Sequence, residues 1–328
     1  MPSRPNWVYT CFKRLERCAD TVTGAAGPFF VAIATVLFIL GTLCFLDVIL
    51  PTIPWPWLSV LPCFLIIINL FGHYYFACTV SPGFAGDPPQ RVGRSFIWAK
   101  RRRYSISRAN GVHWSSHLNI TPASTTTCPK CGETKPERTH HCRVCNRCVL
   151  KYDHHCPCVG LHNERHFVMF MAYVTLATFC FVAFGWPHLF TALGLYFDDT
   201  WEHRISPILF TIIYLVCLVM CLAVGTMLAW QLWSVAVAET AVESYDHEYY
   251  RKVASSRGET FQNSYDLGSL NNLRLFFNIG KDGYPIYTLI LPLRVLPYTD
   301  GRSWARRHGL ERHHGVRADE ELTDEEDN

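Results

Sequence analysis

The sequence predicts an all-α polytopic membrane protein with four transmembrane helices and a small Cys-rich module between the second and the third. Three observations carry this. Hydrophobic residues make up 49% of the 328 residues and charged residues only 17%, below the roughly 25% usual in soluble domains. The apolar residues gather into four runs, each near the length of about 20 residues that a bilayer requires. Of the fifteen cysteines, Cys128, Cys131, Cys142, Cys145, Cys148, Cys156 and Cys158 crowd into one stretch with His140, His141, His154 and His155.

The predicted spans are Phe29–Leu46, Trp57–Val80, Phe167–Trp186 and Ile208–Trp230. A buried core helix could explain one such run, but four in one chain indicate a membrane bundle. Asn69 and His73 interrupt the second span, and polar groups there are expected to face the bundle interior or pair with a neighbour.

Lys and Arg near the spans set the orientation. Arg4, Lys13, Arg14 and Arg17 precede the first span, and Arg91, Arg94, Lys100, Arg101, Arg102, Arg103 and Arg108 follow the second. The first short connector carries only Asp47, and the second holds Asp198, Asp199 and Glu202 against Arg204. Both termini and the central segment are therefore expected in the cytosol. The formal charge of +3 is too small to suggest nucleic acid as a partner.

The expected division is 1–28 as cytosolic N-terminus, 29–80 as the first two spans and 81–127 as a basic connector of low order. Residues 128–166 form the Cys-rich module, 167–230 the last two spans, 231–300 a cytosolic C-terminal region and 301–328 a disordered charged tail ending DEELTDEEDN. The Lys100–Arg103 run can touch anionic lipid or simply be solvated. Tyr284–Leu296, broken by Pro285 and Pro292, is too short to span and is expected on the membrane surface.

A disulfide framework belongs to small secreted chains, whereas MPSRPNWVYTCFKRLERC at the N-terminus is too polar for a secretory signal. Alternating Cys and His instead signals zinc, because thiolate and imidazole suit a tetrahedral ion. Two closed sites use eight ligands and leave a surplus in Asp153-His154-His155-Cys156. An acid, an imidazole and a thiol in succession suit a nucleophile with its base and orienting group. Cys156 can equally be read as a further ligand, as in a membrane-anchored RING-like ubiquitin ligase.

At these residues the chain resembles the DHHC protein S-acyltransferases, or palmitoyltransferases. The likeness includes Ser81-Pro82-Gly83 near the family's Asp-Pro-Gly position and Lys135-Pro136-x-Arg138. It continues through His141-Cys142-x-x-Cys145-x-x-Cys148, Asp153-His154-His155-Cys156-Pro157, Cys158-Val159-Gly160, Asn163 and Phe167. Beyond the last span, Thr240-Ala241-Val242-Glu243 resembles Thr-Thr-x-Glu, with Ala at the second Thr. Asn263-Ser264-Tyr265-Asp266-Leu267-Gly268, with Asn271-Asn272 and Phe276, resembles the C-terminal motif.

The resemblance implies one zinc on Cys128, Cys131, His141 and Cys148, and another on Cys142, Cys145, His155 and Cys158. It implies Cys156 as nucleophile, His154 as its base and Asp153 as the group orienting His154. The implied reaction moves a long-chain acyl group from acyl-CoA, the co-substrate, to cytosolic cysteines of membrane-associated proteins. Lys135 and Arg138 are expected to meet CoA phosphates, and the implied address is the ER or Golgi. Cys11 and Cys18 are candidates for lipidation. Two alternatives are a catalytically weak zinc-containing scaffold of this fold and the RING-like ligase. One departure stands out: the family has Trp and three more residues between the Pro after the nucleophile and the next Cys, whereas here Cys158 follows Pro157. Either Cys158 replaces that Trp and leaves the second zinc short of a ligand, or the loop is shortened and Cys158 still ligates. The unchanged spacing from Cys158 to Val159, Gly160, Asn163 and Phe167 favours the second reading.

Overall fold

The computed structural model describes residues 7–100, 108–109, 112–113, 118–156, 158–195, 200–280 and 283–317, with the side chains of 7–25, 108–109 and 112–113 outside the description. The side chains of Cys11 and Cys18, the run Arg101–Arg103, the acids Asp198 and Asp199 and the tail 318–328 lie outside the described residues.

Four helices dominate: α1 (Trp7–Cys44), α2 (Pro56–Thr79), α3 (Glu164–Ala192) and α4 (Pro207–Ala236). Among the described residues, four stretches are long and apolar enough to cross a membrane, Ala26–Thr52, Pro56–Thr79, Glu164–Ala192 and Pro207–Ala236, each overlapping a predicted span. Local chemistry sets several starts. Pro occupies the first turn of α2 and α4, where no N–H partner is lost. Ser206 caps α4, its Oγ accepting from Leu209 N at 3.3 Å. Many apolar side chains on these helices are exposed, among them Phe29, Leu61, Ile208 and Leu222, as a lipid-facing surface requires.

The helical bundle agrees with the expected fold, and the module between α2 and α3 adds small sheets that the all-α description did not specify. Eight short strands form four antiparallel pairs among the described residues. β1 (Arg108–Ala109) pairs β2 (Val112–His113), and β3 (Asn119–Pro122) reaches across the sequence to pair β8 (Ser303–Arg306). β4 (Thr125–Thr127) pairs β5 (Thr134–Pro136), and β6 (Thr139–Cys142) pairs β7 (Arg147–Leu150). The reason is local: a Cys-x-x-Cys knuckle needs a tight reversal, and a hairpin supplies it. Gly132, at φ +72°, turns the first knuckle where a side chain would be strained.

Two expectations change. The tail is ordered at its start, because Ser303, Trp304, Ala305 and Arg306 are all buried in β8. Arg306 there donates to Ser264 Oγ at 2.9 Å, Thr121 Oγ1 at 2.7 Å and Glu137 Oε2 at 2.5 Å. The same pairing orders the end of the connector at β3. Two more helices, α5 (Ala241–Ser256) and α6 (Ser269–Phe277), complete the C-terminal region.

Tyr284–Leu296 does not lie clear of the spans. Asn69 Nδ2 donates to Ile290 O at 2.5 Å, Tyr173 OH to Leu289 O at 2.8 Å, and Arg165 to Thr288 O at 2.8 Å. Gly72 permits the contact, since a Cβ there would meet Pro292 at 2.5 Å. His73 turns inward as well, its Nδ1 3.2 Å from His166 Nδ1.

Candidate active site

The β6–β7 register sets His141 opposite Cys148 and Cys142 opposite Arg147. Alternation along a strand sends neighbouring side chains to opposite faces, so His141 and Cys142 serve different clusters. Cys128, Cys131, His141 and Cys148 form one group and Cys142, Cys145, His155 and Cys158 the other, the ligand atoms of each lying within 4.8 Å of one another.

Distances test the fit to a metal. Bond lengths near 2.3 Å to sulfur and 2.0 Å to nitrogen put the ligands of a tetrahedral ion about 3.5–3.8 Å apart. Cys128 Sγ lies 3.6 Å from His141 Nδ1, and Cys131 Sγ lies 3.5 Å from Cys148 Sγ. In the second group His155 Nδ1 is 3.4 Å from Cys142 Sγ and 3.6 Å from Cys145 Sγ. Both sets fit such an ion. Cys158 joins the second set at a cost in backbone strain, at φ +86°. The loop closes through Val159 N to His154 O at 2.8 Å and Asp153 N to Val159 O at 3.1 Å.

Between His155 and Cys158, Cys156 is exposed. His154 Nδ1 donates to Asp153 Oδ2 at 2.8 Å, while its Nε2 is buried without a hydrogen-bond partner. The His154 ring packs edge-on to Phe167, with centroids 5.1 Å apart. Asp153 is only 1% exposed. Burial opposes its charge, but donors outweigh that and hold the carboxyl below its ordinary value. They are His154, Ala241 N at 2.7 Å to Oδ1 and Gln231 Nε2 at 3.1 Å to Oδ2. His154 shows the complementary effect. Burial lowers it, yet Asp153 and the neighbouring Cys156 thiol lift it to about 9. The His154 imidazole in turn draws the Cys156 thiol below its usual value.

The N-terminus of α5 reaches the site through a capping box. Thr240 Oγ1 accepts from Glu243 N at 3.2 Å, and Glu243 Oε2 accepts from Thr240 N at 2.9 Å. This fixes the Ala241 N–H that Asp153 accepts. Glu243 is in turn held by Arg138, at 2.6 Å from Nε and 2.6 Å from Nη2. Arg138, which the sequence suggested for a CoA phosphate, is thus engaged by a carboxylate of this chain. Its guanidinium is buried at 4.2 Å from the Tyr265 ring centroid and 4.8 Å from that of Trp304. Lys135 is half-buried on β5. Sequence reasoning assigned no role to Gln231. Its signal was an amide near the end of an otherwise apolar span.

Four membrane-crossing helices with a Cys/His module and an exposed thiol beside a carboxylate-held imidazole define a multi-pass membrane enzyme of the thiol acyltransferase class. The profile of a family described as DHHC palmitoyltransferase matches residues 122–248. Palmitoyltransferase ZDHHC16 of Mus musculus is 30% identical over 317 residues, covering 90% of this chain and 79% of that one. Palmitoyltransferase ZDHHC16 of Homo sapiens is 29% identical over 334 residues, with 90% and 80% covered. Probable protein S-acyltransferase 15 of Arabidopsis thaliana is 32% identical over 178 residues, with 52% and 67% covered. The chain belongs to the DHHC palmitoyltransferase family.

Proposed function

We propose that the chain S-palmitoylates membrane-associated proteins through an acyl-enzyme on Cys156. The observation that carries this is the Asp153–His154–Cys156 arrangement, with its carboxylate fixed, its imidazole oriented and its thiol exposed. The Cys156 thiolate attacks the thioester carbonyl of a long-chain acyl-CoA, and the proton held by His154 passes to the departing CoA thiolate. A substrate cysteine then gives its proton to His154 and attacks the new thioester, and Cys156 leaves as thiolate. Covalent catalysis in two transfers predicts ping-pong kinetics. A fatty-acyl probe should label Cys156 in a bond that hydroxylamine cleaves. No label there would sink the proposal and leave the scaffold or RING-like reading.

An apolar cavity of about 300 Å³ among the spans, lined by Leu37, Phe38, Leu58, Ile66, Phe181 and others, supports an acyl tail held in the membrane. Burying each methylene is favourable by about 0.8 kcal/mol. The CoA head is then left to the cytosol, where Lys135 is a candidate phosphate partner.

Zinc is the ion proposed for both clusters, which have four protein ligands each and no open position for water. Its part is to hold the loop that carries Cys156; no step passes through it. Purified protein should contain about two zinc ions per chain, and Cys128→Ala, Cys142→Ala and Cys158→Ala should each lose about one. Full metal content in Cys158→Ala would remove that residue from the ligand set.

The cytosolic orientation rests on the charge bias around the spans, and an ER or Golgi address on the resemblance alone. Asn119-Ile120-Thr121 is a glycosylation sequon in β3, yet a cytosolic module never meets the glycosylation machinery. Expressed in eukaryotic cells, the protein should show no mobility shift with endoglycosidase. A glycan on Asn119 would invert the topology.

A further inference from the structure

We propose that Gln231 is a positioning residue for the thiol chemistry at Cys156, a proposal that rests on the reading of that site given above. Gln231 lies in the last turns of α4 and is only 6% exposed. An amide buried at the end of an apolar helix carries a desolvation cost unless it finds partners. Its Nε2 finds Asp153 Oδ2 at 3.1 Å, the same oxygen that accepts His154 Nδ1 at 2.8 Å.

The geometry explains why this oxygen needs a second donor. With His154 alone on Oδ2, the carboxylate could rock about its Cβ–Cγ bond and carry the imidazole with it. Ala241 N anchors the other oxygen at 2.7 Å, and Gln231 fixes Oδ2 from the opposite element. Three donors from the module loop, α4 and α5 then define the plane of the carboxylate. That plane sets the direction of His154 Nε2, the buried nitrogen with no partner of its own. The Ala241 side chain adds no donor of its own, so the third hydrogen bond comes from the amide on α4.

The link also has a direction of action. α4 contributes Cys217 to the apolar cavity and Gln231 to the carboxylate. One helix thus carries both a wall residue of the apolar cavity and a donor to the carboxylate.

A bland alternative is that Asp153 merely satisfies a buried amide. Single-turnover self-acylation of full-length protein in micelles, with a palmitoyl-CoA probe, separates the two. Gln231→Leu keeps the size and removes the donor. It should slow acyl-enzyme formation ~10–100-fold, with KM for palmitoyl-CoA within about twofold and metal content unchanged, because no ligand is touched. Gln231→His restores an N–H of similar reach and should recover to within about fivefold of wild type. A wild-type rate in Gln231→Leu would overturn the proposal. So would equal losses in both variants together with lost metal or a lower Tm, the pattern of a packing defect. Cys156→Ser runs alongside: label persisting on that variant would instead reject Cys156 as the acyl carrier.

Discussion

Cys156→Ser should bring self-acylation and transfer to background, a loss of more than about 10³-fold, while leaving about two metal ions bound. The reason is ionisation. A thiol beside the His154 imidazole is drawn below its usual value, whereas a hydroxyl in the same position has no comparable anion population near neutral pH. His154→Ala should fall less far, about 10²–10³-fold in the first step, as expected for the loss of the general acid that protonates the departing CoA thiolate. Both variants should keep the secondary structure and Tm of the parent, since neither residue belongs to a metal cluster or to the packed core. Metal release from His154→Ala would mean that the roles of His154 and His155 are interchanged. Full transfer activity in Cys156→Ser would exclude covalent catalysis at this residue.

Arg138→Ala should have the largest effect on folding. Removing one partner of a buried ion pair costs about 3–5 kcal/mol, which approaches the whole stability of many domains. Here the side chains of Arg138 and Glu243 are 6% and 9% exposed, and the guanidinium also lies against Tyr265 and Trp304. The lost cation would leave Glu243 buried and unpaired under the N-terminus of α5, so the Ala241 N–H to Asp153 should loosen too. Arg138→Met combined with Glu243→Gln removes both charges and keeps a side chain able to close the capping box; it should recover much of the loss. Thermal unfolding and size-exclusion profiles read both. An Arg138→Ala protein that folds normally but has a raised KM for acyl-CoA would return Arg138 to a phosphate-binding role. The pair also predicts an acid limit. Burial opposes the charge on Glu243, but Arg138 more than compensates and holds it down at about 2. A depressed carboxyl stabilises the fold fully above its unfolded value near 4.5, and that contribution is lost as pH falls toward 2.

The membrane bundle and both clusters were legible because each leaves a short-range signal. An apolar run reads as a span by itself, and Cys-x-x-Cys reads as a knuckle by itself. What remained hidden depends on pairing across long separations. β8 sits in a charged stretch that looks unstructured, and its burial follows only from β3, more than 180 positions earlier, and from rings that face Arg138. A basic residue in a Lys-Pro-x-Arg motif reads as a phosphate ligand until its carboxylate is known to come from α5. Gln231 carried a visible signal as a polar group in an apolar helix, but its partner, Asp153, could not be found from sequence distance. The shortened loop was visible as a gap. Its consequence, a left-handed backbone at Cys158, was not.

The docking of Thr288, Leu289 and Ile290 onto α2 and α3 bears on how the protein is made. Asn69, Arg165 and Tyr173 enter the bilayer early in synthesis, while the carbonyls they will serve are still unmade. Polar groups left unmet in hydrocarbon cost several kcal/mol each, so the half-built bundle must wait with these three side chains turned to water, lipid headgroups or a chaperone. Only when the chain has passed Ile290 can the gap close. A chain ending at Phe277 would keep every span and both metal clusters yet never complete its bundle, leaving cellular quality control a surface to detect that the finished protein has covered.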